Sequence, residues 1–119
     1  MDVAIRTLNG VDFIDLTGKG SLIQHEGDLH DLLSLCYYHQ TNIVLLSEKN
    51  LSLDFFDLRS GLAGAAMQKF SNYKVKAAII MTVGAEQSER FKELMFEVSS
   101  SSHIRFYVDQ QEAEAWLTQ

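Results

Sequence analysis

The chain has 119 residues, 46% of them hydrophobic and 22% charged, which fits one globular domain able to bury a core without staples. Ten basic against sixteen acidic side chains give a formal charge of −6, which argues against a nucleic-acid backbone or an anionic membrane surface as partner. The single cysteine, Cys36, excludes an internal disulfide, and no run approaches the roughly 20 apolar residues of a membrane span.

Residues 3–8 (VAIRTL) and 11–16 (VDFIDL) alternate apolar and polar positions around Asn9-Gly10, which predicts an opening β-hairpin. Residues 17–21 (TGKGS) read as a loop. Asp28 is a candidate N-cap for a helix over residues 29–39, with Leu29, Leu32, Leu33 and Cys36 on one stripe. Residues 42–46 (NIVLL) form a continuous apolar run of strand length, as in a strand covered on both faces. Ser52 or Asp54 caps a helix expected to run on to about Phe70. Residues 75–81 predict a second buried strand. Residues 87–99 predict an amphipathic helix carrying Phe91, Leu94, Met95 and Val98. A third buried strand falls at 104–108, and Asp109 caps a terminal helix anchored by Ala113, Trp116 and Leu117.

The order β-β-α-β-α-β-α-β-α predicts a single α/β domain over residues 1–119. Its mostly parallel, five-stranded mixed sheet has an N-terminal β-hairpin and four helices. Open sheets of this kind bind ligands at the carboxyl ends of their strands. Here those ends lead into the loops at 47–54, 82–87 and 108–110.

The first of these loops opens the most uneven segment of the chain, SEKNLSLDFFDLRSGLAGAAMQKFSNY (47–73). At helical spacing, Phe55, Leu58, Leu62 and Ala66 share one face, and Phe56, Ala63, Met67 and Phe70 a neighbouring one. The apolar arc is wide enough to be covered on two sides, by the sheet and by a second subunit. Gly61 and Gly64 lie three apart. Glycine inside a helix costs about 1 kcal/mol relative to alanine, so a compensating gain is expected. Plain helix-on-sheet contact supplies one explanation, and close approach of a ligand or partner backbone another. Ser60 is either an N-cap or a hydroxyl at a helix N-terminus where a phosphate or anion would be stabilised. Asp57 and Arg59 flank it, either orienting a group there or lying as solvated charges. Glu48 and Asn50 fall in the loop at the end of a central strand, where Asn50 either shapes the turn or faces a ligand. The candidate ligand or partner surface is therefore Glu48, Asn50, Phe55, Phe56, Asp57, Arg59, Ser60, Gly61 and Gly64.

This same stretch resembles a bacterial domain-of-unknown-function family, number 4180. The shared pattern falls on Glu48, Asn50 and Leu51, on Asp54 through Gly64, and on Gln68 through Tyr73, and the likeness extends over residues 41–117. Two departures are visible: Ala65 replaces a commonly acidic residue, and MTVGAEQ (81–87) replaces a stretch that usually carries Gly-Asp-Phe. The resemblance implies a fold and a place for a site, with no activity attached. The order of elements is also similar to that of the anti-sigma-factor antagonist domains, where a serine or threonine in D-[ST]-S-G-L accepts phosphate and switches partner binding. DLRSGLAG places Ser60 comparably, but with Leu58 and Arg59 between it and Asp57.

Other constellations carry less. His25, His30, His39 and His103 show no metal-ligand spacing. Cys36 and His39 are i and i+3, yet Cys36 belongs to the apolar stripe, where thiols are inert. Thr17–Gly20 matches neither a Walker A loop nor a dinucleotide fingerprint. Glu86, Glu89 and Glu93 read as a solvated helix start.

The expectation is a cytoplasmic, homodimeric regulatory or protein-interaction module without enzymatic activity, cofactor, metal, nucleic acid or membrane. The alternative is a small-molecule-binding protein with its pocket at the loop and helix after the central strand.

Overall fold

Asn9 and Gly10 both adopt positive φ, 53° and 76°, and close the tight turn their sequence predicts. The turn joins β1 (Ala4–Leu8) to β2 (Val11–Asp15), antiparallel with Leu8 opposite Val11. The computed structural model describes residues 3–82 and 87–119. From β2 the sheet continues in parallel through β3 (Ile43–Ser47), β4 (Lys76–Ile80) and β5 (Ile104–Tyr107). Strand order in the five-stranded sheet follows the chain.

Sequential order decides the layering. Each parallel connection steps one strand in the same direction, and such crossovers share one hand, so their helices fall on one face. Those helices are α1 (Glu26–His39), α2 (Leu53–Phe56), α3 (Leu62–Asn72) and α4 (Glu89–Glu97). They bury Leu29, Leu32, Cys36, Phe55, Ala63, Ala66, Phe70 and Phe91 against Ile14, Val44, Leu46, Ala77, Ile79 and Ile104. The alternate strand residues Phe13, Leu45 and Ala78 face the other way and are covered by Ala113, Trp116 and Leu117 of α5 (Gln110–Leu117). Among the described residues no helix is long and apolar enough to cross a membrane.

Two expectations about helices need correction. Helix α1 begins three residues earlier than Leu29, because Asp28 is not its cap but lies in its first turn. From there the Asp28 carboxylate reaches back to accept hydrogen bonds from the Gln24 and His25 amides, 2.9 and 3.3 Å away. The single helix expected from Ser52 or Asp54 to Phe70 is broken into α2, a 3₁₀ turn (Leu58–Ser60) and α3, so the described residues form five α-helices where four were expected. Asp57 causes the first break: its backbone is extended (φ −99°, ψ 103°) and its side chain accepts from the Arg59 amide, competing with the helical pattern. Gly61 causes the second, with φ +81° in the left-handed region. The wide apolar arc of this segment is covered within the protomer, because α3 packs against α1 and α2 as well as the sheet core.

The α5 face carries a polar clasp between the two ends of the chain. Arg6 donates to Glu114 twice, at 2.9 and 2.8 Å, and to Asp15 at 3.1 Å. Gln110 donates to Glu114 at 2.7 Å. Beside it, Lys76 and Arg105 both lie 4.7 Å from the Trp116 ring centre, and Lys76 donates to the Trp116 carbonyl. The Arg6 hydrogen bonds, and then Gln110, hold Glu114 below the usual carboxylate range against the opposing effect of burial. Burial pushes Asp15 up, but hydrogen bonds from Thr17 and Arg6 outweigh it and leave Asp15 lowered as well.

Both folded-state values are depressed, so this stability is present above the ordinary carboxylate range and is lost as pH falls through the lowered values. Arg6→Ala is expected to cost about 1–2 kcal/mol at neutral pH, toward the lower end because water screens a side chain that is 41% exposed. The deficit should shrink as pH falls below the ordinary carboxylate range and through the lowered values of Asp15 and Glu114, where the carboxylates protonate in the native protein too. Urea unfolding across that range measures it, and a deficit independent of pH would remove the clasp's electrostatic role.

Candidate functional site

The nine candidate residues separate into an inner and an outer set. Asn50 is fully buried at the end of the 3₁₀ turn Glu48–Asn50 that follows β3. Its Nδ2 lies within 3.0 Å of the carbonyls of Leu16, Lys19 and Gly20, and its Oδ1 accepts from the Ser47 amide at 2.7 Å. Its own carbonyl accepts from Leu22 and Ile23. Asn50 therefore ties the loop after β2 to the end of β3.

Phe55 is also inside. Its ring meets Phe56 edge-on at 5.5 Å, and both approach Phe91 of α4, at 6.3 and 5.1 Å. Phe91 in turn meets Phe106 of β5 at 5.6 Å. The doubled phenylalanine is the near half of a four-ring cluster that seats α4 on the sheet, with Phe56 only half-buried at its outer edge.

Glu48 lines a small cavity of about 180 Å³ at the carboxyl ends of the strands, with Thr17, Ser47, Lys49, Ile80, Met81 and Thr82. Its Oε1 is buried and has no hydrogen-bond partner among the described residues. Residues 83–86 of the neighbouring loop, including Glu86, lie outside the described residues.

The outer set forms a continuous exposed strip. Arg59 pairs with Asp57 at 3.2 Å; these hydrogen bonds lower Asp57 below the usual carboxylate range and raise Arg59. Ser60 donates to the Asp54 carbonyl and accepts from the Leu62 amide at 3.2 Å, so its hydroxyl joins α2 to the first turn of α3. Gly61 is explained by its left-handed backbone. Gly64 is not: it lies inside α3, faces solvent, and a methyl group placed on it would meet no atom within 4 Å. Neither glycine makes the close helix-on-sheet contact that the sequence offers as one explanation.

Beside this strip, between the 3₁₀ turn and α4, runs a groove of about 350 Å³. Leu58 and Leu94 supply its apolar part, and Arg59, Arg90, Glu93 and Glu97 its charges. Residues 90, 93, 94 and 97 recur at helical spacing on one face of α4. The sequence reading missed this face of α4, although that i, i+3, i+4, i+7 spacing was available to find it. Among the described residues no group of three or more His, Cys, Asp or Glu is placed to hold a metal ion.

The fold and this strip define a single-sheet α/β domain with an exposed polar-apolar surface over its helical layer. The chain belongs to the family described as Domain of unknown function (DUF4180), whose model matches residues 8–117. No curated protein and no solved structure matches it.

Proposed function

We propose that the protein is a non-enzymatic interaction module that works as a homodimer, with the groove between the 3₁₀ turn and α4 as its interface. The observation that carries this is Gly64. Gly64 lies in the first turn of α3, where glycine is less favourable than alanine by up to about 1 kcal/mol, and no atom of the protomer lies within 4 Å of the place its side chain would take. A backbone approaching from outside is a sufficient reason for the missing side chain.

A second copy is the occupant that the charges favour. A two-fold interface brings one patch against itself, so the patch must be self-complementary. Two arginines and two glutamates around Leu58 and Leu94 meet that requirement, with Arg59 and Arg90 of one copy facing Glu93 and Glu97 of the other. Phe96, exposed on the adjoining strip of α4, adds apolar area at the edge.

Sedimentation of the native chain and of Arg59→Glu/Arg90→Glu tests the reading. The native chain should be dimeric at micromolar concentration, and the double reversal should weaken association at least about tenfold, because like charges then face one another. Mixing it with Glu93→Arg/Glu97→Arg should restore a mixed dimer. Gly64→Ala should stabilise the monomer by about 0.5–1 kcal/mol while weakening the dimer. A monomeric native chain, or a dimer indifferent to these changes, rejects the proposal.

A further inference from the structure

A second cavity lies at the opposite end of the sheet, where α1 and α3 end and β3 and β4 begin. It measures about 660 Å³ and is lined by Leu33, Cys36, Tyr37, Tyr38, Gln40, Thr41, Asn42, Tyr73 and Val75. Three of those side chains are tyrosines left 88%, 78% and 63% exposed. None of the nine carries a charge, in a chain whose charged residues are 22% of the total.

The position is built rather than incidental. Gln40 ends α1 in a left-handed conformation (φ 56°), and the Thr41 amide bonds back to the Cys36 carbonyl. Thr41 Oγ1 donates to the Asp12 carbonyl, and the Asn42 side-chain amide donates to the carbonyl of Lys74, which follows Tyr73. These bonds fix the two sides of the cavity to each other. They leave the Gln40 side-chain amide and the three tyrosine hydroxyls without hydrogen-bond partners among the described residues, while the Gln40 backbone amide bonds to the Tyr37 carbonyl. Burial pushes the Cys36 thiol up to about 11, so at neutral pH it is a soft apolar wall and not a nucleophile.

From this lining we propose a binding site for an uncharged, planar ring ligand of the nucleobase or nucleoside class. Tyrosine faces accept a flat ring by stacking. The Gln40 side-chain amide, which has no partner among the described residues, presents the paired donor and acceptor that read a base edge. The volume falls within the range of small-molecule sites, about 300–1,000 Å³. The lack of any cation in the lining, with a formal charge of −6 overall, selects the nucleoside over its phosphates. This site is separate from the groove beside Arg59, so the two proposals stand or fall independently.

Titration of the full chain with adenosine, guanosine, cytidine and uridine, followed by tyrosine fluorescence and calorimetry, tests it. At least one nucleoside should bind with one-to-one stoichiometry. Tyr37→Ala and Tyr73→Ala, both at exposed positions that leave the fold intact, should each weaken it about tenfold, as expected for loss of one stacking face. The corresponding 5′-monophosphate should bind no more tightly than the nucleoside. No binding by any of the four overturns the proposal. So does a saccharide such as maltotriose binding in their place, a tighter monophosphate, or affinity unchanged in both tyrosine variants.

Discussion

Replacing Asn50 by alanine is expected to lower the unfolding free energy by about 2–4 kcal/mol, a large loss for a position inside a loop. The side chain is fully buried, and truncation removes its bonds to the Ser47 amide and to the carbonyls of Lys19 and Gly20, while the Leu16 carbonyl keeps the Lys19 amide. Each buried group left unpaired costs about 1–3 kcal/mol, reduced here because water can reach the less buried ones. Asn50→Asp is the sharper probe. It keeps the volume and the acceptor, but turns the donor into a second oxygen facing three carbonyls. Those carbonyls favour the protonated acid, so its folded-state pKa would rise above the unfolded value. Aspartate should therefore be about as damaging as alanine at pH 7 and should recover as the pH falls toward 5. Urea unfolding of the three proteins at both pH values gives the answer. An alanine variant within about 0.5 kcal/mol of the native chain would mean that Asn50 does not hold the loop.

The sequence exposed the strands more readily than the path between them. Asn9-Gly10 and the runs at 42–46 and 75–81 are local signals, and each lies where its residues point. The breaks at Asp57 and Gly61 are harder to see, because the apolar spacing from Phe55 to Phe70 continues through them. Only the competition of the Asp57 carboxylate for the Arg59 amide, and one left-handed glycine, interrupts the helix. The clasp of Arg6 with Glu114 joins residues at opposite ends of the chain, so no periodicity reports it. For the candidate site, the strip from Asp57 to Gly64 was legible as a place where small and polar residues gather. The turn-shaping role of Asn50 was legible as one alternative, but its bonds to Leu16, Lys19 and Gly20 and the place of Phe55 were not, since a buried asparagine and a buried ring differ from exposed ones only through partners elsewhere in the chain.

Those distant partners set the second large effect. Phe91→Ala is expected to cost about 3–5 kcal/mol. Phe91 is fully buried, touches the rings of Phe55, Phe56 and Phe106, and is the one residue of α4 that is wholly inside. The rest of that helix is half-buried or exposed, with Leu94 and Met95 only partly buried against the core, so its hold on the sheet depends mainly on this ring. The loss should accordingly be uneven. Hydrogen exchange of the amides from Phe91 to Val98 should accelerate far more than that of α5, which packs on the opposite face through Trp116 and Leu117. Phe91→Leu, which keeps much of the volume, should cost less, about 1–1.5 kcal/mol. Because α4 carries Arg90, Glu93, Leu94 and Glu97, loosening it should also weaken the proposed self-association without changing any residue of the groove. Uniform acceleration across both helices would show that the four rings stabilise the domain as a whole and that the interface does not depend on them separately.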